Sequence, residues 1–171
     1  QSKSDRFILS YFNEIKLDTL GKKLTLDLDY ISSDQPSFRN FTSETLNPLH
    51  QSIPNSLLQG GNDNQNTIDN YIGKLDVDLP FQNFTFNVGA KLATSKTKNK
   101  LLIYNSILPS GVQHNQFDYT ENNQAVYVSG TKTWLDALTL QAGLRVEATQ
   151  TKGYASALDQ TNRNNYVKFF P

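Results

Sequence analysis

Charged residues that alternate along two segments of the chain are the groups best placed to do chemistry. Lys74, Asp76 and Asp78 occupy every second position of one segment, and Arg145 and Glu147 repeat that spacing later. Side chains two residues apart lie on the same face of a β-strand, so each group predicts a polar strand face, with Lys91 nearby on the following strand. Such a face can line a channel that handles a ligand or contacts a plug. The interpretation that we favour is a solvated wall of compensating charges.

The remaining candidate groups lack the spacing of a catalytic or metal site. Asp27 and Asp29 share a strand face and could form an acid–base pair like that of glycosidases, but no other part of such a site accompanies them. His50 and His114 are single histidines in different predicted loops, without zinc-ligand spacing. Residues 62–66 carry oxygen ligands but lack the glycine and distal glutamate of a calcium loop. We therefore expect no catalytic residue, metal or cofactor, and the ligand-binding residues are unknown.

Composition bounds the other classes of function. The chain has 171 residues, zero net charge and no cysteine. The charge balance gives no footprint for nucleic acid, and the missing cysteine excludes disulfides, thiolate metal sites and cysteine nucleophiles. No apolar run reaches the roughly 18–20 residues of a membrane helix, and no charged-then-apolar leader is present. The length predicts one domain, and the absence of methionine predicts a mature or trimmed chain.

Alternation of apolar and polar residues predicts β-strands along most of the chain. In 138–151 the even positions from Leu138 to Ala148 are leucine, valine or alanine, and the odd positions are polar or glycine. Between 122 and 132, valines lie on one face and Ala125 and Tyr127 on the other, so the facing and register of that strand stay ambiguous. The predicted strands are 6–17, 22–32, 71–79, 84–95, 122–132, 138–151 and the start of another at 166–170.

The connections between these strands alternate in length. Short turns are predicted at 18–21, 80–83 and 133–137, and long polar loops at 33–70, 96–120 and 152–165. In an up-and-down antiparallel sheet every second connection lies at the same end, so one end is tight and the other carries all the long loops. Outer-membrane barrels have this asymmetry. Matching the apolar faces places residue 17 opposite 22 and residue 79 opposite 84.

Two folds are compatible with alternation alone. A soluble β-sandwich would pack its apolar faces together and could use the long loops to bind a ligand such as a carbohydrate. A membrane barrel would turn those faces to lipid, and three observations favour it. The strands exceed the usual length of about 5–6 residues, and long loops recur after every second strand. Aromatic residues also fall near strand ends on the apolar face, as in interfacial girdles: Tyr11, Tyr30, Tyr71, Phe84 and Phe86.

The predicted fold is therefore all-β, an antiparallel up-and-down meander of about six long strands that forms a partial transmembrane β-barrel. The segment from Leu138 to Glu147, Leu-Thr-Leu-Gln-Ala-Gly-Leu-Arg-Val-Glu with Thr149 after it, resembles a strand of TonB-dependent outer-membrane receptors. It is most similar to the outer-membrane β-barrel family common in Bacteroidetes. Residues 24–30, 70–81 and 165–171 also look like strands of that family, so the resemblance covers nearly the whole chain.

This resemblance implies a bacterial outer-membrane receptor that takes up a scarce nutrient with energy supplied through TonB, and not an enzyme. The implied partners are outer-membrane lipid, the rest of the barrel, a plug domain, TonB and a small nutrient ligand. The ligand would first meet the loops 33–70 and 96–120. Such barrels have about 22 strands, and about eight is the smallest number that closes. We therefore expect residues 1–171 to be a fragment of the barrel, without signal peptide, TonB box or plug domain, and to self-associate when isolated.

Overall fold

In the part of the chain that the structure describes, seven β-strands form one antiparallel sheet in which each strand pairs with its neighbours in sequence. A computed structural model of the chain describes residues 4–106, 112–134 and 138–171. The single meander confirms the predicted all-β fold, and within the described residues no second sheet packs on it as in a sandwich. The strands are β1 (Asp5–Lys16), β2 (Lys23–Ser43), β3 (Leu58–Phe81), β4 (Phe84–Asn105), β5 (Val112–Trp134), β6 (Leu138–Ala155) and β7 (Gln160–Phe170).

The strands are much longer than the sequence pattern predicts. β2, β3, β4 and β5 have 21, 24, 22 and 23 residues. The extents predicted for the long loops 33–70, 96–120 and 152–165 are therefore wrong, because most of these residues are paired strand. Arg39 pairs with Asn62, for example, and Lys98 with Asp118. Both faces are polar here, so the hydrophobic pattern carries no strand signal.

The β1–β2 pairing follows the predicted register. Ile15 lies opposite Leu24 and Tyr11 opposite Leu28, and the predicted turn at 18–21 lies between the two strands. In β5, Val126 pairs with Ala90 of β4, which places the valines on the apolar face and resolves the ambiguous facing of this strand. The predicted turn at 133–137 falls partly outside the described residues.

The β3–β4 pairing differs from the predicted register by two residues. Phe81 pairs with Phe84 and Leu79 with Phe86, so the turn consists of residues 82–83 rather than 80–83. A shift of two residues leaves every side chain on its predicted face. Asp78 is the last residue of β3 that pairs with β2. Pro80 lies beyond it, where β3 has no partner on that side, and proline is tolerated at such edge positions.

The registers separate an apolar face from a polar face. Each strand contributes exposed apolar side chains to the first, among them Leu9, Leu28, Leu75, Val88, Val126, Leu144 and Val167. On the polar face, Asp76 and Thr149 are only 8% and 3% exposed. Neighbouring side chains therefore cover parts of the polar face, which we call the inner face; the apolar side is called the outer face.

The apolar part of the outer face has the height of a bilayer core. On β3 it runs from Tyr71 to Phe81, which is roughly 33 Å along the strand at about 3.3 Å per residue. A strand tilt of about 35–45° reduces this to about 25 Å, the height of the lipid-facing band of outer-membrane barrels. The rings of Tyr30 and Tyr71 stack at 4.9 Å at one edge, while Tyr11, predicted for a girdle, lies within the band.

Helices take almost no part in this fold. Among the residues that the structure describes, the one helical element is a three-residue 3-10 turn, Ser156–Leu158, between β6 and β7. Within the part of the chain that the structure describes, no helix has the length and apolarity to cross a membrane.

One carboxylate holds the turn between β1 and β2. Asp18 Oδ1 accepts hydrogen bonds from the backbone amides of Leu20 and Lys22, each at 2.9 Å, and Lys22 Nζ lies 3.3 Å from Asp18 Oδ2. Gly21 closes the turn with φ = 95°, a conformation that favours glycine. The hydrogen bond from the Lys22 amide is the largest cause of the lowered pKa of the Asp18 carboxyl. The turn therefore stabilises the ionised form of Asp18.

We expect Asp18→Ala to speed hydrogen exchange of the Leu20 and Lys22 amides. Because the folded-state pKa of Asp18 is lowered, its stabilisation is fully present above the ordinary aspartate pKa and is lost as pH falls through the lowered value. The difference in amide exchange rate between the variant and wild type should thus persist at pH values near the ordinary aspartate pKa and vanish only at lower pH. Amide exchange followed by mass spectrometry at several pH values tests this, with Glu44→Ala at the opposite end as control. A difference that disappears well above the ordinary pKa would contradict it.

Candidate functional site: the polar inner face

A hydrogen bond across an intervening strand organises the inner face. Asp76 of β3, Gly89 of β4, Tyr127 of β5 and Arg145 of β6 are successive partners in the pairing registers. Tyr127 Oη donates to Asp76 Oδ1 at 2.5 Å, although β4 lies between them. The ring crosses β4 at Gly89, where a Cβ would lie 2.4 Å from the ring atoms. Glycine is therefore required at this position for the two strands to be linked.

Ion pairs extend this row to both sides. Lys74 Nζ lies 2.7 Å from Asp76 Oδ2, and Arg145 Nε donates to Glu147 Oε1 at 2.5 Å. The Arg145 guanidinium also lies 5.4 Å from the centroid of the Tyr127 ring, within the range of a cation–π contact. Lys74 and Asp76 of the first predicted group are thus joined to Arg145 and Glu147 of the second, with Tyr127 as the link.

The network satisfies the buried polar groups at its centre. Asp76 is 8% exposed, and its two oxygens are bonded by Tyr127 and Lys74. Asn123 Nδ2 donates to the almost fully buried Thr149 Oγ1 at 2.9 Å and more weakly to Glu147 Oε2 at 3.4 Å. Buried polar groups are costly unless they are bonded in this way, so the arrangement is suited to a stiff, charge-compensated wall.

Asp78 and Lys91 share this face but lie outside the Asp76 network. Asn87 Nδ2 donates to Asp78 Oδ1 at 2.5 Å, and Lys23 Nζ lies 3.6 Å from Asp78 Oδ2 and 3.1 Å from Glu14 Oε2. This second group lies toward the tight turns. Lys91 lies opposite Lys74 in the β3–β4 register.

The other residues singled out from the sequence remain scattered. Asp29 accepts a hydrogen bond from Ser10 Oγ at 2.5 Å, and Asp27 pairs with Lys74 across β2 and β3. His50 lies between β2 and β3, whereas His114 lies within β5. Among the described residues, no three His, Asp or Glu side chains form a group that could hold a metal ion.

The run 62–66 corrects another expectation. It was predicted to be a plain polar loop, but it lies inside β3 and pairs with both β2 and β4. Its side chains consequently point alternately to the two faces of the sheet and cannot converge on one ion.

Comparison with known proteins agrees with this architecture. A sequence model of the family described as "Outer membrane protein beta-barrel family" matches residues 15–171. No curated protein matches the chain.

Several solved structures share the fold. The ferric citrate transporter FecA in its unliganded form aligns with a TM-score of 0.65 and 11% identity over 98% of this chain and 24% of that one. BauA, the ferric preacinetobactin receptor of Acinetobacter baumannii, gives 0.63 and 12% over 98% of this chain and 27% of that one. FyuA, the ferric yersiniabactin uptake receptor of Yersinia pestis, gives 0.51 and 14% over 99% and 24%. The chain thus spans about a quarter of the length of these proteins.

We expect Tyr127→Phe to lower the free energy of unfolding by about 1–3 kcal/mol, because the buried Asp76 carboxylate loses a hydrogen bond. Gly89→Ala should act in the same direction, since the added Cβ would displace the Tyr127 ring. Gly73→Ala is the matched control, because a Cβ there would meet only Leu28 Cδ2 at an ordinary 3.5 Å. Guanidinium unfolding of the protein in lipid vesicles measures all three. Equal effects of Gly89→Ala and Gly73→Ala would show that the ring does not depend on Gly89.

Proposed function

Because the chain belongs to the outer membrane protein beta-barrel family, we propose that it forms part of the wall of an outer-membrane receptor that imports a small nutrient. The observation that carries this proposal is the division of one sheet into a lipid-compatible outer face and a charge-compensated inner face. The Asp76–Tyr127–Arg145 network makes the inner side polar and charge-compensated, which suits a barrel that encloses water and a plug domain.

The two edges of the sheet support a larger barrel. β1 and β7 each pair with one neighbour, whereas every other strand pairs with two. Unpaired backbone groups are not tolerated in the hydrocarbon region of a bilayer. We infer that further strands of the intact protein close the barrel, and that the isolated chain would instead self-associate through its edges and outer face.

The hairpins beyond the lipid-facing band are where a ligand would be met first. From Ser32 and Asp69, β2 and β3 stay paired as far as Ser43 and Leu58, roughly 36 Å along the strands at about 3.3 Å per residue. β4 and β5 form a comparable projection, in which the last pair is Tyr104 with Val112. These continuously paired hairpins would form a vestibule that leads into the lumen.

Energy and gating come from partners in this proposal. The inner face offers paired charges that can contact a plug domain, and the plug would open when TonB supplies energy from the inner membrane. The similarity in fold to a ferric citrate transporter and two ferric-chelate receptors supports an importer. It leaves the chemistry of this protein's own ligand open.

A transport experiment tests the proposal. Cells that express the full-length protein, cells without its gene and cells without TonB are grown on a defined mixture of sugars, peptides, vitamins and ferric chelates, and depletion of each compound is followed by mass spectrometry. We expect at least one compound to be depleted only by cells that have both the protein and TonB. A compound whose depletion requires the protein but not TonB would indicate a passive pore and would contradict the proposal. Equal depletion of every compound by all three strains would contradict it as well.

A further inference from the structure

Above the lipid-facing band, β5, β6 and β7 form a trough on the inner face with a different kind of side chain on each strand. In one row, Phe117 pairs with Ala155, which pairs with Gln160; in the next, Tyr119 pairs with Gly153, which pairs with Asn162. One wall is therefore aromatic, the floor is made of small residues and the other wall carries amides. We call this the inner-face trough.

The aromatic wall consists of two parallel rings, one of which is accessible. The Phe117 and Tyr119 rings are almost parallel, with an interplanar angle of 16° and centroids 6.5 Å apart. Phe117 lies over Gly153, where a Cβ would be 3.3 Å from its Cζ atom, so the glycine allows the ring to lie close to the floor. Phe117 is still 43% exposed, and its apolar surface faces the proposed lumen.

One hydrogen bond orients the tyrosine of this wall. Tyr119 Oη donates to Glu121 Oε2 at 2.7 Å, which holds the phenol ring in place at the edge of the trough. A ring that is fixed before a ligand arrives loses little conformational freedom on binding. The trough thus presents a preoriented aromatic side chain beside the exposed Phe117 ring.

The amide wall supplies hydrogen-bonding groups without charge. Asn162 and Asn164 are exposed on the inner face of β7, and each side-chain amide offers two donors and an acceptor. Across from Asn164, Thr151 of β6 adds a hydroxyl to the floor. Such groups can exchange hydrogen bonds with ligand hydroxyls in both directions.

The charges around the trough do not suit an anion. Glu121 is the acidic side chain on the inner face at its lower edge, and Asp159 lies in the turn above it and accepts a bond from Tyr154 Oη at 3.1 Å. Lys152 and Arg163 are register partners on the outer face, and Arg163 also borders the cavity over the trough together with Asp159. One bordering cation beside two carboxylates gives no excess of positive charge for a phosphate or a ferric carboxylate complex.

From this arrangement we propose that the inner-face trough binds a neutral sugar chain. Sugars present an apolar face of C–H groups, which matches aromatic rings, and a rim of hydroxyls, which matches amides and the threonine. With the row of Glu121, Thr151 and Asn164, the trough has three rows that span roughly 13 Å along the strands at about 3.3 Å per residue. This length is enough for a short oligosaccharide. The inference rests on the proposed function, because it names the class of nutrient that the receptor would take up.

A glycan array probed with the purified full-length protein in detergent tests the trough. We expect binding to neutral oligosaccharides on the array, weakened roughly tenfold or more by Phe117→Ala or Tyr119→Ala through loss of the stacking surface. Gly153→Leu, which fills the floor, should have the same effect. Phe38→Ala is the matched control, since Phe38 is an exposed phenylalanine on the outer face of β2, and it should bind as wild type does.

Folding of each variant is checked by its resistance to heat unfolding on gels. Asn162→Ala and Asn164→Ala change exposed side chains on β7 and keep the test valid if the aromatic variants fold poorly; both should also weaken binding. Binding to acidic glycans alone, no binding to any glycan, or binding that is indifferent to every trough variant would overturn the proposal.

Uptake measurements separate this inference from the proposed function. TonB-dependent uptake of ferric citrate or another non-sugar, unaffected by the trough variants, would overturn the sugar site and leave the receptor standing. Glycan binding that depends on the trough, without any TonB-dependent uptake, would leave the sugar site standing and overturn the receptor.

Discussion

The pairing register is the constraint on which both faces of this sheet depend. Side chains alternate with a period of two, so a slip of one residue in any pairing would turn a whole strand's apolar side chains to the inner face. All six pairings keep most of the apolar set on the outer face, with Ile8, Phe12 and Phe170 as exposed exceptions on the inner face. The same registers place Gly89 between Tyr127 and Asp76. The contact with lipid and the internal network are therefore two results of one alignment, which backbone hydrogen bonding enforces in a bilayer.

Much of the membrane-spanning sheet could be predicted from sequence because its apolar face leaves a periodic signal. The predicted facing of a strand was correct wherever apolar and polar residues alternate, as they do in the sequence before and after Leu144. The β3–β4 register was wrong by two residues because Leu79, Phe81, Phe84 and Phe86 are all apolar, so either alignment matches apolar faces. The extramembrane hairpins were missed because alternation between two polar faces resembles a polar loop.

The inner face shows a different limit of sequence reasoning. Spacing alone grouped Lys74 with Asp76 and Arg145 with Glu147, since residues two apart share a strand face. Tyr127 can join these groups only because Gly89, 38 residues away in another strand, leaves room for its ring. The pairing register alone reveals this arrangement. The trough was missed for the same reason: its aromatic, small and amide residues lie in segments interpreted as loops, and pairing alone brings them side by side. A wall with a bonded polar network at membrane depth and the proposed sugar site above it fits the proposed import receptor.

Spin labelling in a bilayer tests the assignment of the two faces most directly. The chain has no cysteine, so single cysteines can be placed at Leu144, which is 65% exposed on the outer face, and at Gln141 on the inner face. With the full-length protein in lipid vesicles, we expect a nitroxide at 144 to collide mainly with oxygen dissolved in the lipid and one at 141 mainly with a water-soluble nickel chelate. Equal access of the chelate to both labels, or the reverse preference, would contradict the account.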